Sequence, residues 1–402
     1  MACNLRSNKV TIIDEISFLS SRHFDQISSN MKQVFKSRNE FAGLSIIVVG
    51  DFNQLRPIGA PYCFQPKSRC TTAALVDNPQ WAPFRMFELT EIMRQKDDLR
   101  FAEALSRLAV GATTSNDNRL FESRCFTPET LPVEARSCLR LIAFNEDVYK
   151  YNIQRAQELI RSGARQFIYT AIDRFIGTYT DNQKKKAKHV LALMKPGDTQ
   201  GLVAELHLVI GLRYMISTNI DVCDGLFNGA CGVLRFVELR ERCITAVYME
   251  FDDEKTGALA RRGRYDVMRA NSQIQPNWTP IKLTNRNFNT TERGKVQVNR
   301  VQFPMVMAEA ITIHKSQGRS ERLVCVDVEK GMNRQKYYVA FSRATTLNGL
   351  FILGKFKPPG PVEANDPIAF ILVAKYLHFK RPGLYIMSLT TFQTSPKYRE
   401  IG

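Results

Sequence analysis

Two neighbouring carboxylates, Asp14 and Glu15, end a short β-branched run, Val10–Ile13. Adjacent acids at the end of a buried strand are costly unless a cation or polar partners meet them. In a nucleotide hydrolase such a pair divides the work: the Asp holds Mg²⁺, usually through water, and the Glu polarises the water that attacks a γ-phosphate. A second polar cluster follows the next apolar run, in Val48–Ile58 (VVGDFNQLRPI), where Gln54 could sense a γ-phosphate or orient water. Each cluster alone also reads as an ordinary strand-end turn. Their separation by one helix and one strand makes the pair more telling than either part.

Three further segments carry the same kind of chemistry. Leu89–Asp98 (LTEIMRQKDD) offers Arg94 as a charge for phosphoryl transfer, although for that segment alone a plain surface arginine beside Asp97 and Asp98 is the stronger reading. Ala310–Ser320 (AITIHKSQGRS) packs Thr312, His314, Lys315, Ser316, Gln317 and Gly318 together, a density of donors beside a glycine that suits phosphate or sugar contacts. Tyr337–Thr345 (YYVAFSRAT) places Arg343 near a helix end, where it could reach a cleft or simply complement the helix dipole, worth about 0.3–1 kcal/mol.

The elements that must position these groups read as α/β. Val10–Ile13, then Phe24, Ile27, Met31, Val34 and Phe35 at helical spacing, then Ser45–Val49, give strand, helix, strand, with acids where the strands end. Fully apolar runs suit strands buried on both faces of a parallel sheet, whose ligands gather at the strands' carboxyl ends. Residues 59–83 read as loop. The spacing predicts a helix from Leu99 to Ala109 stopped by Gly111, a strand over Cys138–Phe144, and a helix capped by Asn145 and reaching Ile160. The segment 161–205, with its basic run Lys184–Lys188, gives no clear pattern. Gly211–Val301 has β-rich texture, and α/β grammar returns with a helix over Thr312–Gln317, strand Leu323–Val328, helix Lys336–Ala344 and strand Leu350–Leu353. The tail after Pro358 carries no usable signal.

Composition agrees with a globular protein of two or three domains: 402 residues, 44% hydrophobic and 24% charged. No apolar run approaches the ~20 residues of a membrane span. The nine cysteines are scattered and form no C-x-x-C, which argues against a zinc site or a disulfide framework. Lys and Arg exceed Asp and Glu by 56 to 39, a formal +17 that leans toward a polyanion such as nucleic acid.

In order, the five segments resemble the motifs of superfamily-one helicases, and most closely the Pif-type family of ATP-dependent 5′-to-3′ DNA helicases, with its RecD-like and Helitron-like relatives. DEIS resembles motif II and GDFNQLRPI motif III. ELTEIMRQKDD resembles the opening of the second motor domain, LIAFNEDVYKYN (Leu141–Asn152) the N–x–x–V–x–x–x–N stretch, and GLFNGACGVL (Gly225–Leu234) the NG-x-x-G strand. ITIHKSQG and YVAFSRA resemble motifs V and VI, so the likeness covers roughly residues 8–356.

The resemblance implies an α/β fold of two RecA-like P-loop NTPase motor domains with a small β-rich insertion in the second: 1–88, then 89–224 with 300–362, the insertion at 225–299 and a tail at 363–402. It implies ATP as substrate and Mg²⁺ as cofactor, held by Asp14, with Glu15 acting on the attacking water, Gln54 on the γ-phosphate, and Arg94 and Arg343 as arginine fingers. Gln317 and Gly318 would link nucleotide to DNA, and Phe52, Asn228, Thr312 and His314 would touch the nucleic acid. Its partners would be single-stranded and duplex or forked DNA, with no membrane, in a monomer. Roles in repair, recombination and telomere maintenance, and a nuclear place with the mitochondrion as alternative, follow by resemblance only.

The sequence departs from the family in one essential part. No G-x-x-x-x-G-K-[ST] occurs: Gly294-Lys295 is followed by Val and Gly354-Lys355 by Phe, and only Met1–Ile13 precede Asp14. The expectation is therefore a truncated first motor domain with an uncovered sheet edge, from a fragment or a decayed copy, hydrolysing ATP poorly or not at all by itself. A non-catalytic nucleic-acid-binding remnant is the alternative. Arg56 stands where the family usually has the first Pro of "LPP".

Overall fold

The computed structural model describes residues 10–65, 80–81, 83–89, 91–290, 296–363, 366–367 and 384–388. Part of the expected loop 59–83 and most of the tail lie outside them. The chain divides into two compact units, residues 1–143 with 316–402, and residues 144–315. The module expected at 225–299 falls inside the second unit, which also takes in 144–224 and 300–315.

The first unit holds two parallel sheets. In one, the order is Val10–Ile13, Ser45–Gly50, Leu384–Ser388, Arg85–Glu88, with every neighbouring pair parallel. Helix Ser21–Phe35 packs on this sheet through Phe24, with Ile27 and Met31 beside it, as its spacing requires. Ser20 caps it by accepting from His23 N–H, and Lys36 in the left-handed region ends it. Phe24, Phe41, Trp81 and Phe84 form an aromatic core with ring centroids 5.2–6.2 Å apart, each such buried ring contributing about 1.5–3 kcal/mol. The tail thus supplies an interior strand of this sheet, a pairing that no local pattern announced.

Among the described residues Val10–Ile13 pairs on one side only, with Ser45–Gly50, and Arg85–Glu88 ends the sheet at its other side. Val10–Ile13 is not the buried strand expected from its β-branched run, since Val10 is 48% and Ile12 65% exposed. Apolar edges template intermolecular pairing. Ile12→Lys is accordingly expected to slow aggregation of the purified chain, read as light scattering against time at fixed concentration, with little change in melting temperature.

The other sheet places Leu139–Ile142, Val324–Asp327, Leu350–Leu353 and Cys125–Phe126 side by side, all parallel. Helix Leu99–Val110 is capped by Asp98, whose side chain accepts from Phe101 N–H. Gly111 ends it at φ 71°, and a side chain there would meet Gly360 O at 2.0 Å, so glycine is required twice over. Phe121, Phe341 and Phe356 close the core, with centroids 5.2–5.8 Å apart.

The second unit is mainly antiparallel. A five-stranded sheet runs Thr279–Ile281, Cys243–Phe251, Cys231–Arg240, Arg213–Ile216, Met305–Met307. A three-stranded sheet joins Thr284–Asn289, Gln297–Gln302 and Ile172–Phe175. The illegible segment 161–205 contributes Gln166–Thr170, Ile172–Phe175 and helix Asp181–Leu193. Two local expectations shift. Asn145 is the first residue of helix Asn145–Arg161 rather than its cap, which is Phe144. The helix expected at Thr312–Gln317 is instead a fully buried strand, Ala310–Thr312, followed by a 3₁₀ turn, Ile313–Ser316, because its apolar residues Ile311 and Ile313 are both interior.

Candidate nucleotide site

Glu15 sits at φ 52°, ψ 45°, a left-handed conformation uncommon for a residue with a β-carbon. Such strain persists where surrounding structure imposes it, and here the surroundings are visible. The 3₁₀ turn Ile16–Phe18 follows at once, and Gly50, ending strand Ser45–Gly50, lies so close that a β-carbon on it would stand 2.9 Å from Ile16 N and Cγ2. Gly50→Ala is therefore expected to displace the Glu15–Ile16 turn and destabilise the chain by about 1–3 kcal/mol, measured as the urea midpoint.

Asp14 is exposed, and its Oδ1 accepts from Glu15 N–H at 2.8 Å. Glu15 Oε2 accepts from Gln317 Nε2 at 2.8 Å, and Gly318 lies alongside, its missing β-carbon 3.8 Å from Glu15 Oε1. Two motifs some 300 positions apart in sequence thus share one hydrogen bond. Gln54 Oε1 and Gln317 Oε1 are buried acceptors without a hydrogen-bond partner. Of the two, Gln317 Oε1 belongs to the side chain that donates to Glu15, where it offers an acceptor to a donating water.

Asp51 is fully buried. Its Oδ1 accepts from Asn53 N–H and its Oδ2 from the Tyr338 hydroxyl, both at 2.9 Å. Burial pushes the Asp51 carboxyl above its ordinary range and, with the Asp51 charge, pushes the Tyr338 hydroxyl up as well. This bond joins the turn bearing Gln54 to helix Arg334–Phe341, which leads into Arg343.

Arg343 is 1% exposed. Its guanidinium donates to Val339 O (2.8 Å), Arg319 O (3.2 Å), Ser316 O (3.4 Å) and Ser342 Oγ (2.9 Å). Burial, and then the nearby Arg94 charge, lower its pKa to about 10. Arg94 donates to Ser320 Oγ (2.7 Å) and Ser342 O (3.3 Å), and burial lowers its pKa as well. Both cations therefore sit in the Glu15 neighbourhood, held by backbone carbonyls rather than carboxylates, an arrangement in which an anion would relieve their repulsion. Arg343 differs from an extended finger: reaching a phosphate requires it to exchange carbonyl partners. Gln95, which no motif argument singled out, ties this region together by donating to Ser342 O (3.1 Å) and Ala344 O (2.7 Å).

The residues expected to touch nucleic acid fare unevenly. Phe52 is buried among Tyr62, Phe64 and Trp81, with centroids 5.2–5.9 Å away, so it is core and not a stacking platform. Thr312 is buried, and its Oγ1 accepts from Lys315 N–H at 3.4 Å. His314 is half-buried in the 3₁₀ turn. Asn228 is exposed in the second unit beside the exposed Phe227, its N–H donating to Asn219 Oδ1 at 2.8 Å. Asn152, which closes the N–x–x–V–x–x–x–N stretch, takes a role the sequence did not assign it. From helix Asn145–Arg161 it donates to Ala310 O (3.0 Å) and Met307 O (3.3 Å) and accepts from Ala310 N–H (2.7 Å), pinning the strand that leads to Thr312.

Comparison with known proteins places this geometry. The model of the PIF1-like helicase family matches residues 1–118. The chain is 26% identical over 415 residues to the ATP-dependent DNA helicase PIF1 of Emericella nidulans, covering 97% of this chain and 51% of that protein. It is 28% identical over 378 residues to the human ATP-dependent DNA helicase PIF1, covering 92% and 48%. The chain spans about half the length of the curated relatives it matches. The crystal structure of Pif1 helicase from Candida albicans superposes with a TM-score of 0.66 at 23% identity, over 94% of this chain and 78% of that one. Bacteroides Pif1 bound to ssDNA gives 0.64 at 21%, over 94% and 78%. The fold is therefore that of the solved Pif1 helicases, with parallel α/β sheets of the RecA-like motor kind, and in sequence the chain is similar to PIF1-like helicases over most of its length.

Proposed function

We propose that this chain is part of an ATP-dependent DNA helicase that couples ATP hydrolysis to 5′-to-3′ movement on single-stranded DNA and to unwinding of duplex or forked DNA. The single observation that carries the reading is the gathering of Glu15, Gln317, Arg94 and Arg343 within one compact unit. Mg²⁺ binds through one or two carboxylates with substrate phosphates and water, and the exposed Asp14 fits that demand. The bound ion would neutralise charge on the phosphates. Glu15, fixed by Gln317, polarises the attacking water, and Arg94 and Arg343 stabilise the charge on the transferring group. Differential DNA affinity between nucleotide states then drives movement. A Bacteroides Pif1 structure in complex with ADP-AlF3 and ssDNA, and a Pif1 structure addressing unwinding at forked dsDNA, support the substrates by analogy. Repair, recombination and telomere upkeep, in the nucleus or mitochondrion, belong to the same proposal.

One observation favours a second reading, a nucleic-acid-binding remnant: no G-x-x-x-x-G-K-[ST] occurs in the 402 residues. Steady-state ATP turnover with and without single-stranded DNA separates the two. The 402-residue chain is expected to be nearly idle. The same chain joined to in-frame upstream coding sequence supplying that motif is expected to show DNA-stimulated turnover that Glu15→Gln abolishes. An extended chain that stays idle while binding DNA would establish the remnant.

A further inference from the structure

The illegible segment of the second unit forms a concavity of about 600 Å³ lined by Asp173, Phe175, Gly177 and three lysines of helix Asp181–Leu193: Lys184, Lys185 and Lys188. The helix is anchored by an adjoining stripe, where Ala187 and Leu191 pack with Phe288 and Val298. The lysines are thus presented by a rigid element rather than by a loop.

The charges do not cancel. Both oxygens of Asp173 are engaged by the guanidinium of the buried Arg300, at 2.7 Å each, so this carboxylate is already neutralised. Asp181 reaches only Lys184, at 3.9 Å. Four cations therefore face two carboxylates, leaving an excess of two positive charges around the hollow. Like charges at i and i+4, here Lys184 and Lys188, repel, and cations near a helix N-terminus oppose its dipole. The arrangement is unfavourable for the chain alone and favourable once a polyanion is present.

We propose that this cleft is a second nucleic-acid contact, gripping consecutive backbone phosphates through Lys184, Lys185 and Lys188 without reading bases. The inference rests on the DNA-motor reading only for the identity of the polyanion; the cleft shares no residue with the nucleotide site and needs no ATP. A phosphate backbone fits the demand for closely spaced anions, and the net charge of +17 favours the same partner.

The test is fluorescence anisotropy of a labelled oligo-dT strand, and of a mixed-sequence duplex, titrated with the full chain over a range of salt. For Lys184→Gln/Lys185→Gln/Lys188→Gln, affinity should fall on the order of tenfold. The slope of log K against log salt should flatten by about 2 on the single strand and about 3 on the duplex, at ~0.7 and ~0.9 per lost phosphate contact. The matching arginine triple variant should bind like the parent. Lys255→Gln/Lys282→Gln/Lys330→Gln, which removes the same charge from exposed positions elsewhere, should keep most of the slope. An unchanged slope in the first variant, an equal loss in the control, or failure of the arginine variant to bind would overturn the cleft while leaving the motor reading intact. A parent chain that binds neither oligonucleotide would overturn both.

Discussion

Arg300→Ala is expected to destabilise the chain by about 2–4 kcal/mol, because it leaves the half-buried Asp173 carboxylate and two buried carbonyls without their donor. Arg300 is fully buried and directly opposite Asp173 in the register of neighbouring strands. It donates to both Asp173 oxygens, to Leu202 O (3.1 Å) and to Leu191 O (3.2 Å), and lies over the Phe288 ring at 5.4 Å. One side chain therefore ties a strand, the C-terminal turn of a helix and the loop leading to the next strand. Removing it strands a carboxylate and two carbonyls at once. The comparison that isolates the electrostatics is Arg300→Met/Asp173→Leu, which removes both charges and keeps volume. That double variant should recover most of the loss in urea unfolding. A single variant as stable as the parent would contradict the role assigned to the pair.

Tyr338→Phe should cost about 1.5–3 kcal/mol near neutral pH, because the bond it deletes ends on a buried charged acceptor. The effect has a signed pH dependence. Burial raises the Asp51 pKa in the folded chain above the ordinary aspartate value of 3.8, and the Tyr338 hydroxyl partly opposes that rise. The folded state thus holds the Asp51 proton more tightly than the unfolded state. The stability this contributes is full below the unfolded pKa and is lost as pH climbs through the folded one. Without the hydroxyl, the folded pKa moves further up and the loss extends to higher pH. The gap between parent and variant should be widest at neutral pH and narrow toward pH 4, as followed by urea unfolding across that range. A gap independent of pH would mean that the tyrosine acts by packing alone.

How much of this was legible depended on whether the deciding contacts were local. Ser45–Gly50, Val324–Asp327 and Leu350–Leu353 are apolar runs with turn residues behind them, and their place in parallel sheets follows from that alone. Helix Leu99–Val110 announced its end with Gly111. The bond between Glu15 and Gln317 was foreshadowed because each sits in a dense motif. By contrast, Phe52 beside Gly50 and Asp51 looks poised for a ligand, and only its aromatic neighbours from residues 62–81 show that it is core. Gln95, Asn152 and Arg300 do their work on partners far away in sequence. A lone polar residue with a distant partner leaves no periodic trace. Helix Asp181–Leu193 was obscured by its lysines, since its apolar stripe is narrow, with Ala187 and Leu191 as its buried residues.

The strand Leu384–Ser388 lies between Ser45–Gly50 and Arg85–Glu88, parallel to both. A ribosome must add 300 further residues after Glu88 before Ser388 exists, about 15–60 s at ordinary synthesis rates. Throughout that interval Ser45–Gly50 and Arg85–Glu88 lack the strand that joins them in the finished sheet. The nascent chain is then a natural client for chaperones that shield unpaired strands, and its yield in cells should rise with their supply.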